Sequence, residues 1–171
     1  MSMYLTGTTA LAAATIGLGA AGWQVDQYLS TSGTYGIATR VNSTGDIVDA
    51  VLILAKARYH VSDSLSNGII PSEIQRTRDL ARRMRLRPAL AHLAAAPGED
   101  SLLFVLNLDD LESAADEPAA TWANRKANGG LQVSYTKKTR PILQADSRVA
   151  SFEFPAEFNH VPLQAPLGQQ S

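Results

Sequence analysis

The sequence contains no cysteine, and only 6% of its 171 residues are aromatic. The lack of cysteine excludes disulfides, thiolate nucleophiles, cysteine-ligated zinc and iron–sulfur clusters. Charged residues make up only 18% of the chain, whereas hydrophobic residues make up 45%. Fifteen basic and sixteen acidic side chains leave a net charge of -1, which excludes a uniformly basic nucleic-acid-binding protein. The composition therefore predicts a folded chain of about one domain whose electrostatic functions are local.

Motifs for catalysis and metal binding are also missing. The sequence has no P-loop, no G-x-S-x-G and no S-x-x-K motif, and its three histidines lack metal-ligand spacing. Those histidines are His60, His92 and His160. Five acidic residues form a group later in the chain: Asp109, Asp110, Glu112, Asp116 and Glu117. This acidic group lacks the alternating ligands of a calcium-binding loop. We therefore predict no catalytic residue, no metal site and no cofactor, and a protein that is not an enzyme.

Charge is absent from the first 25 residues, and Asp26 is the first charged side chain. About 20 residues suffice for a helix to cross a bilayer, but the Ala and Gly content makes this span only weakly apolar. Small residues recur four apart within it, a spacing that lets another helix approach closely. We predict that helix packing or assembly uses Ala13, Gly17, Gly19 and Ala21, with Trp23 at the end of the apolar segment. A buried helix of a soluble core and a targeting segment are the alternatives.

The rest of the chain predicts an α+β protein with a helical middle and a small antiparallel sheet. A polar hinge is predicted over residues 29–44, an α+β head over 45–155 and an extended tail over 156–171, after the N-terminal helix of 1–28. Within the head, the apolar pattern and candidate caps predict a helix at 46–66. A second helix should begin at Pro71, break near Leu86 and resume at 89–96. Strands are expected at 101–108, near 131–138 and near 148–154.

An arginine cluster is the densest basic feature of the sequence. Six arginines fall within twelve residues: Arg76, Arg78, Arg82, Arg83, Arg85 and Arg87. Guanidinium groups bind phosphate through two parallel hydrogen bonds, so the cluster could contact nucleic acid or another anionic surface. A solvated helix face is the alternative, and the acidic group that follows could also pair with these arginines within the chain or between copies.

The order of these segments resembles the layout of a type IV pilin of the type IVb or minor-pilin variety. The resemblance covers about 65 residues and rests on the uncharged start, the polar continuation QVDQYLSTSG and the segment TGDIVDAVLILAKARYH. Such a layout implies a long apolar N-terminal helix that lies in the membrane before assembly and packs against its copies in the filament, with an outward-facing head.

We therefore expect a structural subunit of a multisubunit assembly, most simply a pilin-like filament subunit in the cell envelope or an extracellular filament. Its partners would be copies of itself through the N-terminal helix, and membrane lipid. One alternative is a virus or phage virion protein whose arginine cluster faces nucleic acid or a membrane. Another is a soluble binding module or enzyme with an Ala-rich core helix.

Overall fold

A computed structural model describes residues 6–28, 30–59, 66–95 and 99–155. Its helices are α1 (Gly7–Ala20), α2 (Pro71–Met84), α3 (Leu108–Ala115) and α4 (Arg140–Ala145). Its strands are β1 (Trp23–Tyr28), β2 (Tyr35–Val41), β3 (Ile47–Tyr59), β4 (Ser66–Ile69), β5 (Arg87–Ala95), β6 (Ser101–Asn107), β7 (Ala123–Arg125), β8 (Leu131–Ser134) and β9 (Ala150–Phe154).

The centre of the structure is a mixed six-stranded sheet with the order β1-β2-β3-β5-β6-β9. Strands β3 and β5 are parallel, and every other neighbouring pair in this sheet is antiparallel. The parallel pair needs a crossover connection, which contains β4 and α2. A smaller antiparallel sheet has the order β4-β8-β7.

Strand β3 occupies residues 47–59 of the segment for which a helix was predicted at 46–66, so that prediction is wrong there, and residues 60–65 lie outside the described ranges. All five residues from Val51 to Ala55 are buried, because helices cover both faces of the sheet here. Alternate side chains enter two different cores: Leu52 and Leu54 face the α2 side, whereas Ile53 faces α1. A strand that is buried on both faces has a continuous apolar sequence rather than an alternating one, and this run resembles a buried helix.

Strand β5 replaces the helix predicted at 89–96 for the same reason, since seven consecutive residues from Ala89 to Ala95 are buried. The helix predicted from Pro71 is present as α2. It begins with Pro71 in its first turn, and the Glu73 carboxylate accepts a hydrogen bond from the Ile70 backbone N–H at 3.1 Å. Lys56 of β3 donates to Glu73 Oε2 at 2.8 Å and thereby links the sheet to α2.

Helix α1 packs against the sheet of its own chain. It contacts β1, β3, β5 and β6, and Leu11 and Leu18 lie in a core with the inward side chains of these strands. Helix α1 is short, with 14 residues, and carries no charged side chain. No helix in the described ranges is long and apolar enough to cross a membrane. The predicted fold class is therefore wrong: the described residues contain no long apolar helix, the middle of the chain is largely strand, and the main sheet has six strands.

The second face of the sheet is covered by α2, α3 and the small sheet. Trp122 is fully buried in this core, and its indole Nε1 donates to Asp146 Oδ2 at 3.3 Å. The strands predicted near 101–108, 131–138 and 148–154 correspond to β6, β8 and β9. The predicted hinge at 29–44 includes β2, and the predicted tail at 156–171 lies outside the described residues.

Candidate functional site

The predicted small-residue positions divide into two groups. Ala13 and Gly17 are buried, whereas Gly19 and Ala21 are exposed. A Cβ atom at Gly17 would lie 2.8 Å from Cγ of Phe152, so the absence of a side chain lets α1 approach β9 of the same chain. Trp23 is half-buried at the start of β1, and the guanidinium carbon of Arg40 lies 5.4 Å from its ring centroid. Close packing at Gly17 thus occurs within one subunit.

The arginine cluster does not form one continuous surface. Arg78 donates to Asp109 at 2.8 Å and to Glu112 at 2.5 Å, and these bonds connect α2 to α3. The hydrogen bond from Arg78 is the main cause that lowers the pKa of Glu112, and the same bond raises the pKa of Arg78. Arg78 therefore has a structural role, and the predicted pairing of the arginines with the acidic group is confirmed within the chain for this residue.

Two further arginines of the cluster have carboxylate partners. Arg87 donates to Asp49 of β3 at 2.5 Å, and Arg82 donates to Asp79 three residues earlier in α2 at 2.9 Å. Arg85 ends α2 in the left-handed conformation with φ 58°. Because Arg85 lies just beyond the helix, its side chain leaves the helical face on which spacing alone would place it.

Arg76 and Arg83 line an open groove between α2 and the β1–β2 connection. The groove has a volume of about 630 Å³, and we call it the α2 groove. Its lining consists of Tyr28, Ser30, Thr31, Ser32, Ser72, Gln75, Arg76, Asp79, Leu80 and Arg83. Arg76 Nη1 donates to the backbone oxygen of Ser32 at 2.9 Å, which holds the connection against the helix.

The electrostatic balance of the α2 groove is positive. Asp79 is the one acidic residue in its lining, and it accepts hydrogen bonds from Gln75 and from Arg82, each at 2.9 Å. Within the described ranges, Arg76 and Arg83 form no ion pair with a carboxylate. The groove therefore combines two uncompensated guanidinium groups with a carboxylate that is already neutralised.

Two other arginines pair with further members of the acidic group. Arg125 donates two hydrogen bonds to Asp116, at 2.9 and 3.0 Å, and this pairing lowers the pKa of Asp116. Arg148 bridges Glu117, at 2.8 Å, and Asp146, also at 2.8 Å. Hydrogen bonds from Arg148 are the main cause that lowers the pKa of Asp146 to about 2. These ion pairs connect α3, the small sheet and the α4–β9 turn.

Histidine and metal chemistry are not evident in the described part of the chain. His92 is buried on β5, where its ring centroid lies 4.8 Å from that of Phe104. His60 and His160 lie outside the described residues. No group of three or more histidine, aspartate or glutamate side chains within the described ranges could hold a metal ion.

Sequence reasoning did not identify Tyr28 or the hydroxyl side chains of the β1–β2 connection as site residues. Ser30, Thr31 and Ser32 were interpreted only as part of a polar hinge. They lie close to Arg76 only because the β1–β2 connection packs against α2. Ser32 and Arg76, which are in contact, are 44 residues apart in the sequence. The only available signal was the run of hydroxyl residues itself, which is equally typical of an ordinary loop.

No protein-family model matches the sequence, and no curated protein matches it. The fold is similar to a solved structure of the Holliday junction resolvase Hjc from the archaeal hyperthermophile Archaeoglobus fulgidus. The two proteins are 10% identical, the TM-score is 0.44, and the similarity covers 77% of this chain and 91% of that chain.

The predictions that depended on the pilin-like layout are corrected. The chain does not have the layout of a type IV pilin, because the apolar helix is short and packs on its own sheet and the second supposed helix is β3. This overturns the filament subunit in the cell envelope and its virion alternative, together with self-association through the N-terminal helix. The prediction that the chain is not an enzyme rested on the missing catalytic motifs, and it is also corrected, because the absence of those motifs does not exclude an enzyme.

Proposed function

We propose that the chain binds single-stranded nucleic acid along the α2 groove. Arg76 and Arg83 contact phosphates of the strand, and the ring of Tyr28 stacks on a base. The observation that carries this proposal is the open groove that two guanidinium groups without carboxylate partners share with an aromatic ring. A cationic groove with an aromatic stacking surface is the arrangement that proteins use to bind single strands without sequence preference.

The spacing of the two arginines suits a polymer better than a small anion. Arg76 and Arg83 are seven residues apart on α2, or two helical turns, which places them on the same face about 10 Å apart along the axis. Each guanidinium can therefore meet a different phosphate of one strand. Arg82 compensates the charge of Asp79, so the net local charge favours an anion even though the whole chain carries a net charge of -1.

The remaining groups of the α2 groove complement a nucleic-acid backbone. Hydroxyl groups from Ser30, Thr31 and Ser32 on one side, and Ser72 on the other, can donate to phosphate or sugar oxygens. Tyr28 is half-buried, since its ring packs against the core while it also lines the groove. A ring that is fixed in this way offers a flat surface to a base at little cost in side-chain entropy.

Fluorescence anisotropy with a labelled single strand of about 20 nucleotides at roughly 50 mM salt tests the proposal. The Arg76→Gln/Arg83→Gln double variant should bind roughly tenfold more weakly than the wild type, because two phosphate contacts are lost. An Arg76→Lys/Arg83→Lys variant keeps the charge and should recover most of the affinity. An unlabelled duplex of equal length should compete less well than the unlabelled single strand.

Lys138→Gln is a control for the loss of positive charge elsewhere and is compared with the single variants Arg76→Gln and Arg83→Gln, because each of the three removes one positive charge and Lys138 is exposed outside the α2 groove. This variant should bind the strand within about twofold of the wild type. Thermal unfolding verifies that the double variant remains folded after loss of the bond to Ser32. The proposal fails if the wild type does not bind the strand, or if the control weakens binding as much as the double variant.

A further inference from the structure

A second pocket lies at the opposite end of α1 from Gly7, where the strands extend beyond the last turn of the helix. It has a volume of about 340 Å³, and its lining includes Leu18 of α1 and residues from β1, β2, β3, β5, β6 and β9. Helix α1 is about 21 Å long, whereas the 13 residues of β3 extend roughly 43 Å, so one helix cannot cover the whole face of the sheet. We call this hollow the sheet-end pocket.

Small side chains form the floor of the sheet-end pocket. Ala38 of β2 is the register partner of Val51 of β3, and Ala89 and Val105 continue the floor on β5 and β6. All four residues belong to the core on the α1 side of the sheet. Four short apolar side chains on adjacent strands give the pocket an apolar floor, which suits the apolar ring of a ligand.

The lining of the sheet-end pocket also carries an aromatic ring, the guanidinium groups of Arg87 and Arg148, and the carboxylate of Asp49. Trp23 lies on the rim, and Arg40 is near the Trp23 ring but does not line the pocket. Arg87 is 55% exposed and uses Nη2 to contact Asp49. Arg148 is occupied by two carboxylates, Asp146 and Glu117, so Arg87 is the guanidinium with donors to spare.

We propose that the sheet-end pocket binds a small planar aromatic carboxylate. The ring lies on the floor of small side chains beside Trp23, and the carboxylate accepts hydrogen bonds from Arg87. A volume of 340 Å³ is near the lower end of the range for ligand pockets, which fits a compound of one or two rings. This inference is independent of the α2 groove, since the two sites share no lining residue.

Isothermal titration of the full chain with 2-naphthoate tests the inference, with 2-naphthamide as the neutral analogue. We expect 2-naphthoate to bind at least about tenfold more tightly than 2-naphthamide, because only the acid offers Arg87 a charged acceptor. Arg87→Gln should abolish this preference while leaving the affinity for 2-naphthamide within about twofold. A purely structural role of Arg87 would instead weaken the binding of both compounds equally.

Ser147→Trp provides a second variant that avoids the core. Ser147 is exposed on the rim of the sheet-end pocket, and a tryptophan there should block entry and reduce 2-naphthoate binding at least about tenfold. Ser113→Trp on the exposed face of α3 is the matched control and should bind 2-naphthoate like the wild type. Equal binding of acid and amide by the wild type, or unchanged binding by Ser147→Trp, would overturn the inference.

Discussion

Gly17 of α1 lies directly against the ring of Phe152 on β9, with room for a hydrogen atom but not for a methyl group. A Cβ atom at this position would be 2.8 Å from Cγ of the ring, a distance at which the helix or the ring must move. This contact explains why residue 17 is a glycine. Glycine brings the helix backbone close to the sheet of the same chain and does not require a second copy.

Gly17→Ala should therefore destabilise the protein by about 1–3 kcal/mol, because overpacking outweighs the better helix propensity of alanine. Gly19→Ala is the matched control. Apart from its own helix backbone and chain neighbours, no atom of the described residues lies within 4 Å of a Cβ at Gly19, so this substitution should be neutral or stabilise by up to about 1 kcal/mol. Urea unfolding of the two variants measures the difference. Equal effects at both positions would contradict the packing of α1 described above.

Glu112 connects α3 to two arginines, Arg78 of α2 and Arg125 of β7. Glu112→Gln should destabilise the fold by about 1–2 kcal/mol, since the hydrogen bonds from both arginines lose their charged acceptor and the side chain is 37% exposed. Asp109→Asn is the control. Asp109 also contacts Arg78, but its side chain is 75% exposed, so this substitution should lower the free energy of unfolding by less than about 1 kcal/mol. Chemical denaturation gives both values. A larger effect at Asp109 would show that the bond to Glu112 does not dominate the pairing.

The protein should lose stability at acidic pH, and the protonation of Asp146 contributes to that loss. Arg148 lowers the pKa of Asp146 to about 2, below its value in an unfolded chain of about 3.9. The resulting stabilisation is fully present above about pH 4 and is lost as the pH falls through the folded-state pKa of about 2. Denaturant titrations between pH 7 and 2 measure the free energy of unfolding, which should decrease below about pH 4. We call this decrease the acid limb.

Asp146→Asn should be less stable than the wild type at pH 7, and its stability should fall less steeply below pH 4. The control is Asp26→Asn, since Asp26 is exposed on β1 and forms no ion pair among the described residues. That control should keep the wild-type acid limb. An unchanged limb in Asp146→Asn would refute the assigned role of Arg148.

Arg85 occupies a backbone conformation that favours glycine, with φ 58° at the end of α2. Arg85→Gly should raise the stability by about 1 kcal/mol, because glycine adopts the left-handed region without the steric cost of a Cβ atom. Arg85→Ala removes the same positive charge but keeps that cost, so the difference between the two melting temperatures isolates the backbone effect. Equal melting temperatures would contradict it.

The salt dependence of nucleic-acid binding should report the two phosphate contacts. For single strands the slope of log K against log salt is about -0.7 per phosphate neutralised, so Arg76→Gln/Arg83→Gln should reduce its magnitude by roughly 1.4. Anisotropy titrations at several salt concentrations give the slope. A double variant with weaker binding and the wild-type slope would assign these arginines a structural role.

The sequence indicated some elements correctly where local signals are strong. Pro71 marked the beginning of α2, and the strand expected near 131–138 corresponds to β8. The same reasoning failed for β3 and β5, because it treated long apolar runs as helices. Whether such a run is a strand depends on what covers its two faces, and residues distant in sequence supply that cover.

For the candidate sites too, the sequence indicated some features, whereas others depend on the tertiary structure. Composition located the arginine cluster, but it could not tell that Arg78, Arg82 and Arg87 have carboxylate partners while Arg76 and Arg83 line an open groove. That distinction depends on where α3 and the β1–β2 connection meet α2. The sheet-end pocket had no signal in the sequence, since its floor combines one residue from each of four strands.

By itself the sequence determined the absence of thiol chemistry, the uncharged and small-residue character of the first helix, and the concentration of arginine in α2. Only the tertiary structure decided that the helix packs on its own sheet, that the middle of the chain is strand, and which arginines are available to a ligand. The physical reason is that charge and size are properties of single residues, whereas burial and pairing depend on the neighbours that the fold supplies.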